Sequence, residues 1–126
     1  GLSETDVLVD LGSGDGRVVL VASLFSKAIG VEYDSKLVGE SIEAANSTGS
    51  DAEFYAQDYE SFDYSTATVL FSYADHFFTP AFIEKLKQEF NGVLYVYQGV
   101  FLPEGVKKGR TVWIGQTPLI SYDFSG

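Results

Sequence analysis

The stretch VLVDLGSGDGRVV, Val7 to Val19, decides the fold. An apolar run ends in Asp10, and three glycines follow at alternate positions, Gly12, Gly14 and Gly16. Glycine takes up left-handed backbone conformations readily and lets the main chain come close to a ligand. A strand over 6–11, a ligand-facing turn and a helix over 16–25 (GRVVLVASLF) are therefore expected.

The same alternation continues outward. AIGVEY (28–33) reads as a second strand. SKLVGESIEAAN (35–46) reads as a helix capped by Asp34 or Ser35, with Leu37, Val38, Ser41, Ile42 and Ala45 on one face. Strands follow over 50–58 and 67–73. Thr79 then caps a helix that starts at Pro80, buries Phe82, Ile83, Leu86 and Phe90, and stops at Asn91-Gly92. A fifth strand is expected over 92–100. FLPEGVKKGR has no helical period, and TVWIGQTPLISYDF (111–124) reads as two strands that turn between Gly115 and Pro118. Strands alternating with helices predict an α/β fold with a mainly parallel sheet and an antiparallel C-terminal hairpin.

Composition narrows the chemistry. A chain of 126 residues with 45% hydrophobic content suits one globular domain over 1–126. It has no cysteine and a single histidine, His76, so neither a disulfide nor a metal site is expected. No run is long and apolar enough for a membrane span, and a soluble, cytoplasmic protein is expected. The chain starts at Gly1 and lacks methionine, as a fragment missing an N-terminal segment or an engineered start would. A net charge of −10 repels phosphate backbones, and the KKGR cluster at 107–110 is small, so no nucleic-acid partner is expected. Acidity instead suits a basic protein or an amine substrate, although a solubilising surface explains it equally well.

Which ligand needs the glycines is decided by spacing. A dinucleotide fingerprint would place its third glycine where Arg17 stands, and a Walker loop would need Lys-Ser or Lys-Thr, which this chain lacks. The pattern present is D-x-G-x-G-x-G, with Glu32 at the second strand end and Asp58 at the third. A carboxylate at the second strand end can accept both hydroxyls of a ribose, and Asp58 can meet an adenine amino group. Three carboxylates without a phosphate cradle suit a sulfonium and an ammonium, and hence S-adenosylmethionine.

DLGSGDGRVV followed by GVEYD resembles the seven-strand S-adenosylmethionine-dependent methyltransferases, in particular the small archaeal protein-lysine methyltransferases and their mitochondrial relatives. The resemblance implies a Rossmann-like, doubly wound seven-strand sheet made mixed by its final hairpin. It also implies that Gly12 and Gly14 line the methionine part, that Asp10 orients the loop and the amino group, that Glu32 holds the ribose and that Asp58 meets the adenine. Ser13, Tyr33 and Gln57 complete the expected cofactor set. Tyr73, Asp75 and His76 follow the fourth strand on the expected acceptor side, where tyrosine could hold a substrate nitrogen and Asp75 or His76 could take its proton. SYADHF (72–77) is not the Asn-Pro-Pro-Tyr box of methyltransferases acting on base amino groups, which points away from bases. The expected acceptor is protein lysine. A small-molecule acceptor and a non-catalytic binding domain are the alternatives, and the oligomeric state is not legible.

Overall fold

The computed structural model describes residues 2–125. Seven strands alternate with three helices: β1 (Val7–Leu11), α1 (Arg17–Ala22), β2 (Lys27–Glu32), α2 (Ser35–Thr48), β3 (Glu53–Ala56), β4 (Val69–Tyr73), α3 (Pro80–Glu89), β5 (Val93–Tyr97), β6 (Lys107–Ile114) and β7 (Thr117–Asp123). A single 3-10 turn occupies Tyr59–Ser61. This is a Rossmann-like α/β fold with a mixed sheet. The chain divides into two compact units, Gly1–Phe62 and Asp63–Gly126.

In the first unit β2 lies between β3 and β1, and all three strands run parallel, with Val9 opposite Ile29 and Ile29 opposite Glu53. Parallel strands are covered on both faces, which is why β1 and β2 read as nearly continuous apolar runs. Val9, Val19 and Val31 are almost completely buried, and each such side chain contributes about 1.5–3 kcal/mol. Asp34 caps α2 by accepting from the Lys36 amide at 2.9 Å, and Gly49 ends it in the left-handed conformation. The buried stripe of α2 is Val38, Ser41 and Ala45. Ile42, expected on that stripe, is 42% exposed because it lies at the stripe's margin.

α1 is shorter than expected and stops at Ala22. The Ser23 hydroxyl donates to the Leu20 carbonyl and meets the Ser50 hydroxyl, which fixes the chain as it leaves the helix. Leu24 and Phe25 are left exposed.

In the second unit β4 and β5 are parallel, β7 is antiparallel to β5, and β6 is antiparallel to β7 at the edge. Thr79 caps α3 through the Phe82 amide with Pro80 in the first turn, and Phe82, Ile83 and Leu86 are buried, as the spacing predicts. The hairpin is also present, but β6 begins at Lys107 and absorbs the KKGR cluster. A register shift between Lys108 and Thr111 accommodates one extra residue on β6.

No helix among the described residues is long and apolar enough to cross a membrane.

Candidate functional site

The parallel register of the first unit brings the carboxyl ends of β1, β2 and β3 to one edge, where open α/β sheets bind ligands. Gly12, Gly14 and Gly16 have φ of 77°, 57° and 81°. Left-handed backbone at three alternate positions is a conformation that other L-residues resist, so the sequence pattern and the loop shape are one fact. A Cβ on Gly12 or Gly14 would meet nothing within 4 Å, so space lies open above the loop. Gly16 differs, because a Cβ there would come within 2.7 Å of the Ser41 hydroxyl and 2.9 Å of the Phe54 ring. Gly12 and Gly14 thus face open space, while Gly16 packs the loop onto α2 and β3.

Four of the loop amides are already engaged. Those of Gly12 and Ser13 both donate to the Val31 carbonyl, and that of Gly16 donates to the Ser13 carbonyl. The Gly14 amide donates to Glu32 Oε1 at 2.9 Å, and Glu32 Oε2 accepts from the Asp34 amide at 2.9 Å. A pyrophosphate or triphosphate is cradled by free loop amides, and these are spent inside the protein. A ligand without phosphates fits such a loop. Glu32 keeps acceptor capacity, since an ionised carboxylate offers about four lone-pair sites.

Asp10 is 3% exposed. Burial, reinforced by the charge of Glu32, pushes its carboxyl up to about 7. A cation beside it would favour the ionised form, so a ligand with an ammonium is complementary to this position. The Ser13 hydroxyl is buried without a hydrogen-bond partner. It rests against Gly30, where a Cβ would come within 2.7 Å of it. Gly30 is therefore required for the loop to seat on β2, a role that sequence reading missed because glycine inside a strand carries no pattern of its own.

Gln57 joins this group, its amide donating to the Glu32 carbonyl and its side chain to the Ser61 hydroxyl. Asp58 is exposed and accepts from the Glu60 amide as cap of the 3-10 turn. Tyr33 is 82% exposed. Arg17 pairs with Asp15 at 2.7 Å on the surface, and such a pair contributes little. Gly14 and Gln57 are thus bonded to Glu32, Gly12 and Ser13 meet at the Val31 carbonyl, and Asp10 is coupled to Glu32 by charge, while Asp58 and Tyr33 are exposed.

In the second unit Tyr73 ends β4 opposite Tyr97 of β5, with ring centroids 5.6 Å apart. The Gln98 side chain donates to the Tyr73 hydroxyl at 3.1 Å, and Gln98 itself holds φ 134°. Its amide donates to the Pro118 carbonyl, which pins this uncommon backbone. Asp75 and His76 are exposed and contact each other through a carboxylate oxygen and Nδ1. Gln98 was not anticipated, since no local pattern marks a residue that acts through a neighbouring strand.

Comparison with solved structures gives the class. The chain is similar to an RNA methyltransferase from Salinibacter ruber in complex with S-adenosyl-L-homocysteine, at 27% identity and a TM-score of 0.78, covering 98% of this chain and 84% of that one. An S-adenosylmethionine-dependent methyltransferase from Aquifex aeolicus matches at 18% identity and a TM-score of 0.69, over 98% of this chain and 84% of that one. An rRNA methylase from Streptococcus thermophilus matches at 13% identity and a TM-score of 0.71, over 99% and 90%. At those lower identities the likeness concerns the fold. No protein-family model matches the sequence, and neither does any curated protein.

The fold and the glycine loop are those of an S-adenosylmethionine-dependent methyltransferase. The resemblance to lysine methyltransferases holds at the level of this class.

Thermal denaturation tests the ligand choice directly. S-adenosylmethionine or S-adenosylhomocysteine at ten to a hundred times its Kd is expected to add about 1.4–2.7 kcal/mol of stability. NAD and ATP are expected to add nothing, since the loop amides they need are engaged; a larger shift with NAD would refute the assignment.

Proposed function

We propose that residues 1–126 form one methyltransferase domain that acts in the cytoplasm and methylates RNA. The likeness to the Salinibacter ruber RNA methyltransferase, at 27% identity over 98% of this chain, carries the choice of acceptor. The absent Asn-Pro-Pro-Tyr box bears on base amino groups and leaves the other nucleophilic atoms of RNA open. Protein lysine is the second reading, favoured by the net charge of −10, which attracts a basic protein.

In this reading Asp10 holds the cofactor ammonium, Gly12, Ser13 and Gly14 line its methionine part, and Glu32 accepts the ribose hydroxyls. Gln57, Asp58 and Tyr33 border the adenine. When bound, S-adenosylmethionine supplies an electrophilic methyl group on a sulfonium. Tyr73, Asp75 and His76 serve the acceptor: the exposed Tyr73 ring offers a stacking face, and the Asp75–His76 pair takes the proton that the acceptor loses. Positioning supplies most of the rate in such a displacement.

Tyr73→Phe breaks the hydrogen bond from Gln98 but keeps the ring, and Asp75→Asn removes the charge beside His76. Each is expected to lower turnover about ten- to a hundredfold while changing cofactor affinity less than threefold. Equal losses in both quantities would remove these residues from the acceptor side. Incubation with radiolabelled S-adenosylmethionine and fractionated host RNA, protein and metabolites tests the acceptor itself. Label in RNA is the expected result, and label confined to protein would replace the RNA reading with the lysine one.

A further inference from the structure

The edge strand β6 is unusual for this protein. Lys107, Lys108 and Arg110 are three of only eight cations in a chain of net charge −10, and every residue of the strand is exposed. Among the described residues none of the three forms an ion pair, and Asp123, opposite Lys107, is the carboxylate that feels this charge. Cations and a bulge protect a sheet edge against pairing with another strand. Protection does not explain the other half of β6, where Val112, Trp113 and Ile114 are 52%, 65% and 52% exposed.

Register gives these residues a direction. Lys108, Thr111 and Trp113 stand opposite Tyr122, Ile120 and Pro118, alternate residues of β7, and so share one face of the hairpin, while Lys107, opposite Asp123, stands on the other, so that the cations flank the free edge from both sides. The cationic end and the indole are separated by roughly 15 Å along the strand. Pro118, the partner of Trp113, accepts the Gln98 amide, and the Gln98 side chain reaches Tyr73. The indole therefore stands at the same end of this unit's strands as Tyr73, and the cations lead away from that end along the edge.

We propose that β6 is the surface on which single-stranded RNA docks, with phosphates on Lys107, Lys108 and Arg110 and a base stacked on Trp113. Cations in a row with an exposed aromatic are the elements by which proteins hold single strands without reading sequence. Local cation density lets a chain with net negative charge bind a polyanion, because fields beyond about 8 Å are screened at physiological salt. Docking in this direction leads the strand toward Tyr73. The proposal rests on RNA as acceptor and adds where RNA is held.

Trp113 is the chain's only tryptophan, so its fluorescence reports on this surface alone. The test titrates the protein with a short single-stranded RNA of adenosines and uridines, reading indole quenching and the anisotropy of an end-labelled copy. Affinity is expected to fall roughly 18-fold between about 50 and 200 mM salt, the slope for three phosphate contacts on a single strand. Lys107→Glu combined with Lys108→Glu is expected to weaken binding at least tenfold and flatten the salt dependence. Trp113→Ala should weaken it about fivefold to a hundredfold and leave the slope unchanged. Both variants should bind S-adenosylhomocysteine like the parent, which shows that they fold. Binding and methylation of RNA by the variants at parental levels would overturn the docking surface while leaving RNA as acceptor. No RNA binding by the parent, with label in protein, would overturn both. Quenching that depends on protein concentration without RNA, and a dimer lost in Trp113→Ala, would assign β6 to a second copy of this chain and overturn the proposal.

Discussion

Asp10→Asn is expected to stabilise the cofactor-free protein at pH 8 and to weaken cofactor binding at the same time. The Asp10 carboxyl is pushed from 3.8 up to about 7 by burial and by Glu32. Between those values the folded state binds more protons than the unfolded chain, so stability falls as pH rises from about 4 to about 7 and stays at its lower level above. The full difference amounts to about 4 kcal/mol at most. Asparagine has nearly the same shape and no charge, which removes the pH-dependent loss. Its buried amide carries an unsatisfied-group cost of about 1–3 kcal/mol at every pH. The variant should therefore be slightly less stable than the parent near pH 4 and more stable at pH 8. Urea denaturation across that range reads the crossing, and parallel stability curves would show that Asp10 is not strained by ionisation. Calorimetry should show weaker S-adenosylmethionine binding by the same variant at pH 8, since in the proposed site the carboxylate that destabilises the empty protein is the one that the ligand ammonium compensates. Loss of stability retained for binding is the trade-off common at functional sites.

The glycine loop was legible because its requirement is local. Left-handed backbone at Gly12, Gly14 and Gly16 is enforced residue by residue, and Glu32 follows from strand length and the distance to the loop. Elements whose limits are set by distant partners were less legible. RVVLVASLF is apolar all round, so its period gives no stop signal, and the helix ends where Ser23 finds Leu20 and Ser50. KKGR lacks β propensity and becomes strand through pairing with β7, where Gly109 fits because a Cβ would come within 2.5 Å of the Ser121 hydroxyl. Gly30 and Gln98 matter only through neighbours on other strands. The acceptor is not legible from net charge, which averages over a surface on which three of the eight cations lie in β6.

Glu32→Ala is expected to reduce cofactor affinity more than a hundredfold while leaving the fold intact. Two contributions combine. The carboxylate accepts the Gly14 amide on one oxygen and the Asp34 amide on the other, so its removal frees the loop on one side and leaves two backbone donors without a partner. Its remaining lone pairs are the proposed acceptors of the ribose hydroxyls, where each charge-assisted bond is worth about 1.5–3 kcal/mol. A combined loss of about 3 kcal/mol corresponds to a factor above one hundred. Glu32→Gln keeps one oxygen and turns the other into a donor facing a backbone donor, so its loss should be smaller than that of alanine. Separating the loop role from the ribose role needs a second change, made on the ligand. With S-adenosylhomocysteine and its 2′-deoxy analogue as probes, the parent should bind the deoxy analogue at least tenfold more weakly, and Glu32→Ala should bind the two nearly alike. Such a cycle isolates the coupling between carboxylate and hydroxyl. If removing the hydroxyl costs parent and variant the same, Glu32 acts only by holding Gly14, and the ribose must be held by another group at the strand ends.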